Sequence, residues 1–496
     1  MVPEIVLSSL FKLLLFPAYH STDFDVHRNW LAITHNLPLR EWYFENTSEW
    51  TLDYPPFFAF FEYLLSFSVP KSAVEDGCLN IVAEDGMYGW PTIVFQRSSV
   101  LFTELCLIYA LTTLMGAGVR FPKLISVLIY LCPAWVVLDH IHFQYNGAMY
   151  GLLLISITYM QKQKYLKSAF LFAVLLCFKH LYLYVAPAYF AYLLRNYALR
   201  SFKNLLKLGL VTLSPFLLAF GPFYWTSGVD GLIQIKERLF PFARGLTHSY
   251  WAPNFWAVYT FGDRVMGIIY RNSTVSSTRG IVGQVEFSNF MEITAKTTFI
   301  ISTIFQLIAM IFVSGRSQFV ECVTLCAFSS FLFGYHVHEK AVLTVIVPLA
   351  LICTKRRSYM NAFIVLVSAG CCGLLPLIFT PAEFILKYCC TLAYLTMVAF
   401  VVPSYTGYSL SWISKLYLLG LLLLIPGSEL LPFVTYLSRY SFAKNMLVSV
   451  YCSLGVLLSF IQVLLASLFE KESAQEYETV VKIEVEDDKV EFKIIE

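Results

Sequence analysis

Along most of the chain, long apolar runs alternate with short polar connections, the pattern of helices that cross a bilayer. A crossing helix needs about 20 mostly apolar residues, fewer where flanking side chains snorkel to the interface. On that basis spans are expected near residues 4–19, 93–116, 121–138, 147–161, 168–178, 181–195, 207–225, 295–313, 319–333, 341–354, 359–378, 384–402, 411–427 and 445–469. That makes about 14 helices and an all-α polytopic membrane protein. The run Phe57–Val69 is short, contains Glu62 and follows Pro55-Pro56, so it reads as an interfacial or re-entrant helix.

Composition removes the alternatives. Of 496 residues, 58% are apolar and 14% are charged, against about 25% charged in soluble domains. With a mean hydropathy of +0.65, a soluble multidomain enzyme and a disordered chain are both excluded. The net charge of +2 gives no sign of nucleic-acid binding. The 12 cysteines lie mostly in apolar runs, without CxxC pairs or zinc spacing. Neither a disulfide framework nor a zinc site is therefore expected. The apolar N-terminal stretch Ile5–Tyr19 lacks a small-residue cleavage site, so a retained signal anchor is expected.

Lysine and arginine set the orientation. Arg120, Lys123, Lys162, Lys164, Lys167, Arg195, Arg200, Lys203, Lys207, Arg316, Lys355, Arg356 and Arg357 fall on one set of short connections. The opposite set holds only Lys179, Lys340 and Lys387. The first side is expected in the cytosol, with the N-terminus and the charged tail 470–496, which reads as a solvated extension of the domain 1–469. Two long polar loops, about 19–92 and 226–293, fall on the other side together with the sequons at Asn46 and Asn272.

The dense polar motifs share that non-cytosolic face. His20-Ser21-Thr22-Asp23-Phe24-Asp25-Val26-His27-Arg28 brings two acids beside cations at the membrane boundary, where a carboxylate could serve as a general base. An ordinary charged interfacial loop would look similar. Leu52-Asp53-Tyr54-Pro55-Pro56 reads either as part of a site or as a rigid turn. In Asp139-His140-Ile141-His142-Phe143-Gln144-Tyr145-Asn146, two histidines without a clear third ligand make weak grounds for a metal. Arg238 and Arg244 offer bidentate phosphate contacts. Trp251, Asn254 and Trp256, within Tyr250–Trp256, offer faces and an amide to sugar rings, although aromatics beside a membrane also form interfacial belts. His336, His338 and Lys340 could stabilise a departing phosphate, and a loop histidine with a snorkelling lysine is the plainer alternative. Together the motifs suit transfer from a lipid-phosphate carrier.

Asp23-Phe24-Asp25 leading to Trp30, Leu52–Pro56, His142–Asn146, Arg238–Leu246 and Val337-His338-Glu339-Lys340 resemble, in consistent order over about residues 4–469, the endoplasmic-reticulum dolichyl-phosphate-glucose glucosyltransferases. The resemblance implies a GT-C fold and a luminal active site in the endoplasmic-reticulum membrane. It also implies inverting α-1,3 transfer of glucose from dolichyl phosphate glucose to a dolichyl-pyrophosphate-linked oligosaccharide, with no metal or cofactor. Within the family, His27-Arg28-Asn29-Trp30, His336 and Tyr250–Trp256 look like the members that add the second glucose rather than the first. By motif position Asp23 is the expected base. Asp25 is the alternative, because in an extended segment both would face one way. His338 is the expected partner of the leaving phosphate, with Arg238, Arg244, His336 and Lys340 on the donor phosphate. Asp53, Tyr54, Trp251, Asn254 and Trp256 are expected on the acceptor side.

A secondary transporter is the rival class. It would place ionisable groups near the bilayer midplane, where Lys12 and Glu104 are among the few candidates.

Overall fold

A computed structural model describes residues 2–81, 88–116, 118–240, 245–247, 252–270, 287–313, 318–431, 442–470, 483–486 and 489–492. Eight helices there are long and apolar enough to cross a membrane: Trp90–Thr113, Pro122–Ile141, Phe202–Leu239, Ala295–Phe312, Arg357–Leu377, Pro381–Thr406, Trp412–Leu430 and Ala443–Phe469. Each coincides with an expected span. The other expected spans are shorter helices, among them Val2–Leu14, Asn146–Gln161, Tyr165–Phe178 and Phe319–Phe333. Length alone therefore carries eight crossings, not 14. The chain is a multi-pass membrane protein. Ile483–Glu486 pairs antiparallel with Lys489–Phe492 inside the tail 470–496.

Lipid tails are as apolar as leucine, so packing in a membrane relies on close approach. Gly151 shows how: a Cβ there would lie 2.7 Å from the backbone of Cys106 and Leu107, so only glycine lets Asn146–Gln161 settle against Leu105–Thr113. Arg357–Leu374 is buried along nearly its whole length and packs most extensively on Ala443–Phe469. Outward faces carry apolar side chains such as Leu210, Leu217 and Trp225, which suits contact with lipid.

The helix Phe202–Leu239 corrects one boundary. It runs 38 residues with a break at Gly228, whose φ of 63° is open to glycine. Up to that break, residues 202–227 span about 39 Å at 1.5 Å per residue, against a hydrocarbon layer of about 30 Å. Past the break the chain stays helical to Leu239, so the second long loop begins as helix rather than coil. A further helix, Phe255–Tyr270, lies within that loop. In the first loop, Pro56–Ser66 is helical as expected, with Pro56 in its first turn. A buried cluster of Phe24, Trp30, Tyr43, Phe58, Phe143 and Tyr145 fastens this loop to the helix Phe202–Leu239 through Phe223. The Gln234 side-chain amide donates to the Tyr43 carbonyl at 3.0 Å.

Candidate active site

The opening motif folds as the helix Thr22–Asn36. Ser21 caps it, its Oγ accepting from the Asp23 N–H at 3.2 Å while donating to the His142 carbonyl at 2.6 Å. Asp23 and Asp25 occupy the first turn, where the helix dipole favours negative charge. In a helix, residues two apart point about 200° away from each other, so the expectation that both acids face one way fails. Asp25 is buried and accepts from the Tyr88 hydroxyl at 2.8 Å. Asp23 keeps 24% of its side chain exposed.

Two distant segments converge on Asp23. The span Pro122–Ile141 ends in a π-helical turn, Val136–Ile141, a widening that recurs at functional sites. Phe143 follows with φ 84°, a costly conformation for a bulky residue, held by complete burial among Phe24, His27 and Tyr145. This bend sets His142 and Gln144 against the same acid. Gln144 Nε2 donates to Asp23 Oδ2 at 2.7 Å, and His142 Nε2 lies 3.4 Å from that oxygen. From the far side, Lys340 Nζ donates to Asp23 Oδ2 at 2.6 Å. Burial alone would raise the Asp23 carboxyl, but the charges of Lys340 and His142, with hydrogen bonds from Lys340 and Gln144, hold it well below the usual carboxylate range. All three side-chain partners meet the same oxygen, Oδ2.

Behind this front, Asn146 Nδ2 donates to Gln144 Oε1 at 2.8 Å and to Asp139 Oδ1 at 2.9 Å. Lys179 Nζ donates to Asn146 Oδ1 at 3.0 Å, with its ammonium 5.0 Å from the centre of the Tyr54 ring. Asp53 acts electrostatically on Lys179, as do Asp139 and Asp23. The structure thus gathers Asp53 and Tyr54 beside the Asp23 cluster.

His336 and His338 meet edge to face, ring centres 5.4 Å apart. His336 adopts φ 51° and is held by its N–H on the Leu246 carbonyl at 2.9 Å and by Nδ1 against the Gly245 carbonyl at 2.7 Å. A parallel bridge joins Thr247 to Val337. The second long loop is therefore stitched to the motif that delivers Lys340.

Three of the expected site residues are engaged in holding the fold. Arg238 donates from Nε and Nη2 to the carbonyls of Tyr43 and Glu45, at 3.2 and 3.4 Å, and so ties the two loops together. Trp256 is 1% exposed and donates from Nε1 to the Gly334 carbonyl at 2.9 Å. Asn254 is buried and accepts from the Trp256 N–H at 3.1 Å at the start of its helix. Packing thus covers the Trp256 ring, and the Asn254 carbonyl oxygen serves as a cap. Arg244, Trp251 and the sequon residue Asn272 lie outside the described residues. Among the described residues, no group of three His, Cys, Asp or Glu side chains is arranged to hold a metal ion.

The mid-span ionisable groups form a closed set. Lys12 pairs with Glu104 and lies 4.5 Å from the centre of the Tyr130 ring, and His140 Nε2 sits 3.0 Å from the other Glu104 oxygen. Each charge is neutralised by a neighbour, as suits a staple between the opening helix and its neighbours more than an ion path.

Sequence reasoning gave Gln144 and Lys179 no role. Gln144 stands inside a motif already singled out, and Lys179 is one of three lysines on the cation-poor side. Those were the available signals.

A family model described as the ALG6, ALG8 glycosyltransferase family matches residues 8–463. Among curated relatives, the proteins of Candida albicans (43% identical, covering 92% of this chain and 89% of that protein), Gibberella zeae (44%, 92% and 96%) and Kluyveromyces lactis (40%, 92% and 91%) are similar throughout. All three bear the name dolichyl pyrophosphate Glc1Man9GlcNAc2 alpha-1,3-glucosyltransferase. The match takes in every segment that builds the Asp23 cluster, from the opening helix to Lys340, and on that footing the chain belongs to the ALG6, ALG8 glycosyltransferase family.

Proposed function

We propose that this chain, a hexosyltransferase, moves one glucose from dolichyl phosphate glucose to the lipid-linked oligosaccharide Glc1Man9GlcNAc2. The new bond is α-1,3, and the reaction faces the lumen of the endoplasmic reticulum, in the assembly of the glycan for protein N-glycosylation. The acceptor follows the names of the relatives. The observation that carries the reading is the Asp23 carboxylate, ionised and partly exposed, with its Oδ2 engaged by Lys340, Gln144 and His142.

The chemistry follows from that arrangement. The acceptor hydroxyl oxygen attacks glucose C1 from the face opposite the phosphate, inverting a β-linked donor to an α product. Its proton passes to Asp23 Oδ1 as the C1–O bond to phosphate breaks and the electron pair leaves with the phosphate. Lys340 has three donor protons and can serve base and phosphate together, with His338 and His336 on the phosphate side. Dolichyl phosphate is already a competent leaving group, so this reading calls for no metal.

The test is donor choice. Purified protein given Glc1Man9GlcNAc2 on its lipid is expected to extend it with dolichyl phosphate glucose and not with UDP-glucose. Extension from the nucleotide sugar alone would refute the reading.

A further inference from the structure

Lys179 and two amides stand behind Asp23 and take no direct part in the transfer. Lys179 is 8% exposed, and a buried ammonium persists only where its protons are used. Its Nζ donates to Asn146 Oδ1 at 3.0 Å and reaches Gln144 Oε1 at 3.5 Å. Asn146 Nδ2 also donates to Gln144 Oε1, at 2.8 Å. An amide carries its acceptor and its donors on one planar group, so fixing the oxygen decides where the nitrogen points. With Oε1 taken from two sides, Gln144 can offer only Nε2 to Asp23, at 2.7 Å. A flipped amide would set oxygen against oxygen there.

The far end is anchored as well. Asn146 Nδ2 also donates to Asp139 Oδ1, and Asp139 Oδ2 accepts from the Gly147 N–H at 2.7 Å. The π-helical turn, the start of the next helix and the end of Tyr165–Phe178 thus lock onto one another through these side chains.

We propose that Lys179 is a positioning residue for glucosyl transfer: by holding the carbonyl ends of Gln144 and Asn146, it turns the Gln144 amide nitrogen onto Asp23 Oδ2 and leaves Oδ1 to the acceptor hydroxyl. The inference rests on the reading of Asp23 as the base.

The experiment uses the full chain in lipid nanodiscs, with donor and acceptor each varied. Lys179→Met, Gln144→Ala, their combination and Asp23→Asn are compared with wild type. Lys179→Met and Gln144→Ala are each expected to lower kcat about 10–100-fold while both KM values stay within about threefold. The combined variant is expected within about twofold of the worse single, because both act through one amide. Losses that multiply, KM values that rise in place of a kcat loss, or a wild-type kcat in either single variant would overturn the proposal. If Lys179→Met does not fold, Lys179→Arg takes its place, since it keeps the charge but not the compact reach to two carbonyls. The same split is then expected, and an unchanged kcat overturns the proposal. Asp23→Asn separates the two claims. If it turns over normally, the base assignment fails and the inference falls with it. If it is inactive while the Lys179 and Gln144 variants are unimpaired, only the positioning role fails.

Discussion

Lys340 Nζ donates to Asp23 Oδ2 at 2.6 Å across 317 residues of sequence, joining the first polar loop to the turn that follows Phe319–Phe333. That contact couples the expected base to the expected phosphate cation. It also explains how a half-buried acid stays ionised.

The pH profile should show this coupling. A base must be deprotonated to act, and a carboxyl held below its ordinary value keeps its charge as pH falls. Wild-type protein is therefore expected to show no Asp23-linked loss of kcat down to about pH 5. Lys340→Met removes the largest charge that lowers the Asp23 carboxyl, so burial should then push it up and bring an acidic limb into view at higher pH than in wild type. The same sign governs stability: this ion pair contributes above the ordinary carboxyl value of about 3.9 and fades as pH drops towards the folded value. Identical wild-type and Lys340→Met profiles would contradict the coupling.

Trp256→Ala is expected to act on folding, not on acceptor choice. A fully buried tryptophan truncated to alanine costs about 3–5 kcal/mol. Asn254→Ala should cost about 1 kcal/mol through loss of its capping bond. Thermal unfolding in detergent checks both: lower midpoints with an unchanged ratio of kcat/KM for the two acceptors are expected. A changed ratio at unchanged stability would return these residues to the acceptor site.

Much of this was legible in the sequence. Apolar runs located the helices because only a hydrogen-bonded helix can cross lipid alone, and the eight longest came out where expected. The Asp23, His142 and Lys340 motifs were visible as polar clusters at helix ends. Side-chain direction was not visible. Whether Asp23 and Asp25 share a face depends on helix against strand, and charged interfacial sequence permits either. Trp256 read as a sugar platform because composition cannot tell a buried indole from an open one. Gln144 and Lys179 were invisible as a pair because their contact spans 35 residues and depends on the bend at Phe143.

Orientation can be tested by labelling. In sealed microsomes, Lys164→Cys is expected to react with an impermeant maleimide from outside. Glu49→Cys should be protected until the membrane is opened. Both positions are exposed in the fold, so access reports sidedness. The reverse pattern would place the Asp23 cluster in the cytosol.

The central claim is base-assisted transfer by Asp23 to one particular acceptor. Its most direct measurement is glucose incorporation from dolichyl phosphate glucose by purified wild-type and Asp23→Asn protein, with Glc1Man9GlcNAc2 and Man9GlcNAc2 lipids side by side. Wild type should extend the monoglucosylated lipid and largely ignore the other, while Asp23→Asn should lose about 10²–10⁴-fold in kcat with a normal melting profile. Equal use of both acceptors, or Asp23→Asn turnover within twofold of wild type, would contradict it.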